Sequence, residues 1–103
     1  MNEAELSSLL KSTGLSVAYN HFKSPPELPY IVYLFSHSNN FGADNKVHTK
    51  INNYQVELYS DKKDLLSERL IEDLFDSNEI FYDKSETYIE SEELYQVMYE
   101  IEI

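Results

Sequence analysis

At 103 residues the chain is sized for one domain, because a second core would be too small to hold itself together. A hydrophobic fraction of 42% with nine Tyr and five Phe excludes a disordered chain, and the absence of cysteine excludes disulfides, thiolate catalysis and Cys-ligated zinc. The net charge of -11 is confined to residues 57–103, where fifteen acids face only Lys62, Lys63, Arg69 and Lys84, and it argues against direct binding of nucleic acid.

The opening stretch "MNEAELSSLL" has acids and no basic start to an apolar segment, and the longest apolar run is far short of the roughly 20 residues that span a bilayer. A soluble protein with no membrane partner and no export signal is expected. In "NEAELSSLLKSTG", Asn2 is placed to cap a short helix with Glu5 three residues on, Leu6, Leu9 and Leu10 form its apolar stripe, and Gly14 is placed to end it. "LSVAY" has the pattern of a short strand. Pro25, Pro26 and Pro29 then bias their predecessors towards extended backbone, which rules out a helix through this segment.

"YIVYLF" (30–35) is apolar at every position, as in a strand buried on both sides, or buried on one side and against a neighbouring subunit on the other. "YQVELY" (54–59) alternates, with Tyr54, Val56 and Leu58 on one face. The two are expected to pair antiparallel across a long polar loop at 36–53. Loops of that length in a compact domain are usually functional or disordered. "SDKKDLLSERLIEDLFDSNEIF" reads as the clearest helix, capped by Ser60 or Asp61, with Leu66, Leu70 and Leu74 as its inward stripe and Ile71 and Phe75 beside it. "FYDKSETYIESEELYQVMYEIEI" closes the chain as a pair of strands. In the last, Tyr95, Val97, Tyr99, Ile101 and Ile103 alternate with Gln96, Met98, Glu100 and Glu102. The expected fold is therefore α+β over 1–103 as a single domain, a mainly antiparallel sheet of about four to five strands with two helices packed on one face.

Chemistry finds little footing in these residues. His37 and His48, with Asp44 between them, offer two imidazoles and a carboxylate, but without the close spacing of a metal site, and they read as ordinary loop residues. The acids of "SETYIESEELY" lack the spaced oxygen ligands and turn glycine of a calcium loop. No glycine-rich phosphate loop and no nucleophile elbow is present. Neither catalytic residues, metal ligands nor cofactors are expected, and the chain does not read as an enzyme.

Four strings, "LLKSTGLSVAYNHF", "PPELPYIVYLFSHSNNFGADNKVH", "YQVELYSDKKD" and "YIESEELYQVMYEIEI", resemble a family of small phage and prophage proteins of Gram-positive bacteria, the tail-terminator or head-tail joining proteins of long-tailed phages. The resemblance covers nearly the whole chain. It implies a protomer that assembles with itself into a ring, expected to be a hexamer, at the end of the tail tube. That ring would stop tube polymerisation, contact the tail tube protein and the head connector protein, and let DNA pass through without specific binding. The protein would act in the host cytoplasm during assembly and end at the head-tail junction of the virion. A negative channel wall would suit passing DNA, since like charges remove the gain from counterion release. The 36–53 segment then reads as a docking arm, with His37, Asn40, Phe41, Asp44, Lys46 and His48 as its contact residues and Phe41 as its large apolar anchor. The rival reading is an acidic inhibitor that mimics DNA and blocks a host DNA-binding protein.

Overall fold

The computed structural model describes residues 1–43 and 46–103, and the side chains of residues 41–49 lie outside that description. The chain runs α1 (Glu3–Lys11), β1 (Ser16–Tyr19), β2 (Tyr30–Ser38), β3 (Phe41–Ala43), β4 (Lys46–Thr49), β5 (Asn52–Ser60), α2 (Leu65–Ser77), β6 (Tyr82–Ile89) and β7 (Leu94–Glu102). This is an α+β fold.

The first helix starts as its capping residues dictate. Asn2 Oδ1 accepts from the Glu5 amide at 2.8 Å and Glu5 Oε1 accepts from the Asn2 amide at 3.1 Å, which satisfies two amides left without partners in the first turn. After Lys11 the backbone turns through Gly14, whose φ of +86° is open to glycine and strained for other residues. The Leu28–Pro29 peptide in the loop before β2 is cis.

The main sheet has five strands in the order β1-β2-β5-β7-β6, with β1 parallel to β2 and every other pair antiparallel. Strand β7 is thus internal. One sheet face packs against both helices through Ile31, Tyr33, Tyr54, Val56, Leu58, Val97, Tyr99 and Ile101, which join Leu6, Leu10, Ile71 and Phe75 in the core. These side chains are almost wholly removed from water, and each contributes about 1.5–3 kcal/mol of transfer free energy. Tyr54 Oη donates to Glu3 Oε2 at 3.0 Å and ties α1 to the sheet centre.

Two expectations are corrected here. The segment 36–53 is not a loop: β2 continues to Ser38, β5 begins at Asn52, and β3 and β4 pair antiparallel between them, so the connection is a β-hairpin. Its polar composition concealed this, because the ladder of two strands is made by backbone groups and needs no apolar pattern. The second correction concerns α2. Asp64 caps it, accepting from the Ser67 amide at 3.0 Å, while Ser60 closes β5 instead. Its buried residues are Ser67, Glu68, Ile71 and Phe75, whereas Leu66 is 76% and Leu70 45% exposed.

Candidate functional site

The backbone register builds a neck where the hairpin leaves the sheet. A bulge between Phe35 and His37 shifts the ladder so that His37 lies across from Asn53, on the sheet face that carries no helix. Beyond it, the Asn39 amide donates to the Ile51 carbonyl at 2.8 Å and Asn40 Oδ1 accepts from the Ile51 amide at 3.4 Å. Of the expected contact residues, His37 and Asn40 therefore stand at this neck, with Ser36 Oγ 2.9 Å from His37 Nδ1. Phe41 lies on β3, and Lys46 and His48 on β4, at positions whose side chains are outside the description; Asp44 lies outside the described residues altogether. The chain measures 50 × 29 × 24 Å along its principal axes, a long form for 103 residues.

Register also sets the rows of the open sheet face. Tyr30, Tyr59, Gln96 and Thr87 form one row, Val32, Glu57, Met98 and Ser85 the next, and Leu34, Gln55, Glu100 and Asp83 the third. In the first, Tyr30 stacks on Tyr59 at 5.3 Å, Gln96 Nε2 donates to Tyr59 Oη at 2.8 Å, and Tyr59 Oη donates to Glu57 Oε1 at 3.1 Å. Burial pushes the Glu57 carboxyl above its ordinary range against the opposing pull of that hydrogen bond, and burial pushes the Tyr59 phenol up to about 12.

At the hairpin end of this face a recess of about 370 Å³ is lined by His37, Asn39, Asn53, Phe81, Asp83, Glu100 and Glu102. Asn53 is only 3% exposed, yet its Nδ2 has no hydrogen-bond partner among the described residues. Phe81, in contrast, is 79% exposed. The recess thus combines an unused buried donor, a group of carboxylates and an apolar ring.

A second polar cluster lies between α2 and the other face of the sheet. Glu68, 2% exposed, receives Lys63 Nζ at 2.8 Å and Lys84 Nζ at 2.7 Å. Lys84 also reaches Glu72 Oε2 at 2.8 Å, and Lys63 pairs with Glu86. Tyr99 and Tyr82 donate to Glu72 at 2.7 and 3.2 Å. Burial opposes the charge on Glu72, but the hydrogen bonds from Lys84 and Tyr99 outweigh it and hold the carboxyl below its ordinary value. Burial and the Glu72 bond drive the Tyr99 phenol far above its ordinary range. Lys63 and Lys84 offset most of the charge of the three carboxylates, and the cluster fastens α2 to β6 and β7.

Sequence reading missed both Asn53 and Glu68 because it counted polar residues as exposed. Glu68 had one legible signal: it stands three positions before Ile71 and seven before Phe75, on the stripe that the sheet covers. Among the described residues no three His, Asp or Glu side chains converge to hold a metal ion, and no helix is long and apolar enough to cross a membrane. No protein-family model matches the chain, and no curated protein matches it.

Proposed function

We propose that the protein is a structural connector of a phage tail, a tail terminator or head-tail joining protein whose copies form a ring at the end of the tail tube. The observation that carries this reading is the extension at 36–53, where β3 and β4 pair with each other in a two-stranded sheet separate from the five-stranded one. An assembly unit can use such an extension to grip the tube or an adjacent copy. Both helices lie on one sheet face and none on the other, so the molecule has two unlike sides, which adds support since ring subunits join through two different surfaces.

The acids favour this reading over DNA mimicry. Glu68, Glu72 and Glu86 are spent on Lys63 and Lys84 instead of being displayed as a phosphate-like array. Rings seen by negative-stain electron microscopy, with a solution mass of about six copies that persists at high salt, are the expected result. A complex with a host DNA-binding protein that dissolves steeply with salt, in the absence of rings, would replace the connector with the inhibitor.

A further inference from the structure

At the end of the open sheet face away from the hairpin, two cavities meet. The first, of about 190 Å³, is lined by Phe22, Tyr30 and Tyr59, and the second, of about 250 Å³, by Pro26, Leu28 and Leu94. Pro25, Tyr30 and Glu92 border both, so the two form one trough. Its aromatic wall is fixed by the sheet. Tyr30 opens β2 across from Tyr59 near the end of β5, their rings stack at 5.3 Å, and Phe22 meets Tyr30 edge-on at 5.2 Å. The Tyr59 hydroxyl is held between Gln96 and Glu57. Glu92 stands in the turn between β6 and β7, which the Ile89–Leu94 pair closes, and its amide donates to the Ile89 carbonyl at 3.2 Å. Burial, and after it the charge of Glu92, push the Tyr30 phenol above its ordinary value, which places that carboxylate beside the ring. The trough holds this carboxylate without a counter-charge: Glu92 is exposed and makes no ion pair among the described residues, and no Lys or Arg among them lines either cavity.

We propose that this trough binds an arginine side chain of another protein, with the guanidinium against the aromatic wall and paired to Glu92, and the methylene stem along Pro25, Leu28 and Leu94. The faces of aromatic rings attract a cation, and prolines and leucines suit an aliphatic stem. The guanidinium fits better than an ammonium, because it is planar, stacks on rings, sheds water more readily and offers a carboxylate two parallel donors. A second copy of this chain is a poor source of that residue. Its single arginine, Arg69, shares the outer side of α2 with the exposed Asp73 and Asp76, which would be brought against the Glu90, Glu92 and Glu93 of the turn. The arginine therefore belongs to a different protein, and the site is independent of whether copies of this chain form a ring.

The test is a titration of the full chain with acetyl-Gly-Arg-Gly amide at about 0.15 M salt, followed by the backbone amide signals in proton–nitrogen NMR spectra. The same peptide with lysine, and with citrulline, which keeps the shape of arginine and lacks its charge, are the comparisons. The arginine peptide should give saturable shifts confined to the surroundings of Phe22, Tyr30, Tyr59 and Glu92. It should bind about threefold or more tighter than the lysine peptide and about tenfold or more tighter than the citrulline peptide. Glu92→Gln, a change in an exposed turn that leaves the fold intact, should weaken it by about fivefold, and Phe22→Leu, which keeps an apolar side chain and removes the ring, by about threefold. Equal binding of the citrulline peptide, or a Glu92→Gln variant that binds as the wild type does, would overturn the role of charge and with it the proposal. Tighter binding of lysine would overturn the choice of arginine. Shifts spread over the acids of 57–103 would show general attraction to a chain of net charge -11 and overturn the site, as would the absence of any shift at about 50 mM peptide.

Discussion

Tyr99 Oη and Lys84 Nζ converge on one oxygen of Glu72, at 2.7 and 2.8 Å, beneath the middle of α2. Tyr99 is fully buried and Glu72 is not, so the phenol serves as the fixed point and the carboxylate as the clamp. Tyr99→Phe removes a hydrogen bond to a charged acceptor without opening a cavity, and is expected to cost about 1–2 kcal/mol at neutral pH. Because Glu72 is held below its ordinary value of 4.5, its contribution is complete above that pH and is lost as the pH falls through the folded-state value. Glu72→Gln should therefore flatten the acid limb of a stability-versus-pH curve measured by urea unfolding. An acid limb as steep as that of the wild type would show that Glu72 is not the group responsible.

Lys84 and Lys63 share Glu68, but only Lys84 also holds Glu72. Lys84→Met should destabilise by about 2–4 kcal/mol, since it leaves the buried Glu68 with a single half-exposed partner. Lys63→Met should cost about 1 kcal/mol, because the second of its two partners, Glu86, is well exposed. Equal losses in the two variants, measured by chemical denaturation, would contradict this ordering.

Much of the fold was legible because β5 and β7 alternate with a two-residue period, and because Asn2 and Glu5 spell out a capping box. The helix α2 was legible as a helix but misleading as a surface. Leucines every four residues look like a core stripe, yet the sheet covers Glu68, Ile71 and Phe75, with lysines supplying the compensation that a hydropathy count does not register. The insertion of β7 between β5 and β6 left no local mark, since strand order is set by contacts remote in sequence. Asn53 was invisible for the same reason: only the assembled sheet buries it.

That inversion of α2 yields a direct comparison. Ile71→Ala removes a fully buried side chain and should destabilise by about 2–4 kcal/mol. Leu66→Ser and Leu70→Ser should change monomer stability by no more than about 0.5 kcal/mol, as expected of exposed positions. Thermal melts at low protein concentration separate the two groups, and a large loss in Leu66→Ser would show that the residue is covered within one copy.

Glu57 stands in the middle of the open face, between Val32 and Met98, with its carboxyl raised by burial. A raised acid binds its proton more tightly in the folded chain, so its contribution is unfavourable at neutral pH and fades as the pH falls through the folded-state value towards 4.5. Glu57→Gln keeps an acceptor for Tyr59 and removes the charge. It should raise the melting temperature at pH 7 by about 2–4 °C, which corresponds to about 0.5 kcal/mol at this chain length, and give no gain near pH 4. A gain of the same size at both values would mean that charge is not the cause.

The hairpin carries the last prediction. Asn39 and Asn40 already bond to Ile51 at its neck, so replacing residues 41–49 with a short glycine-containing turn leaves the β2–β5 ladder able to close. The five-stranded sheet does not include β3 or β4, and the shortened chain should melt within about 4 °C of the wild type. If the proposed connector role is right, assembly on purified tail tubes, followed by electron microscopy, should be lost in that variant and weakened in Phe41→Ala. Unfolding of either variant would show that the hairpin stabilises its own chain, and undiminished capping of tubes would overturn the proposal that it is the docking arm.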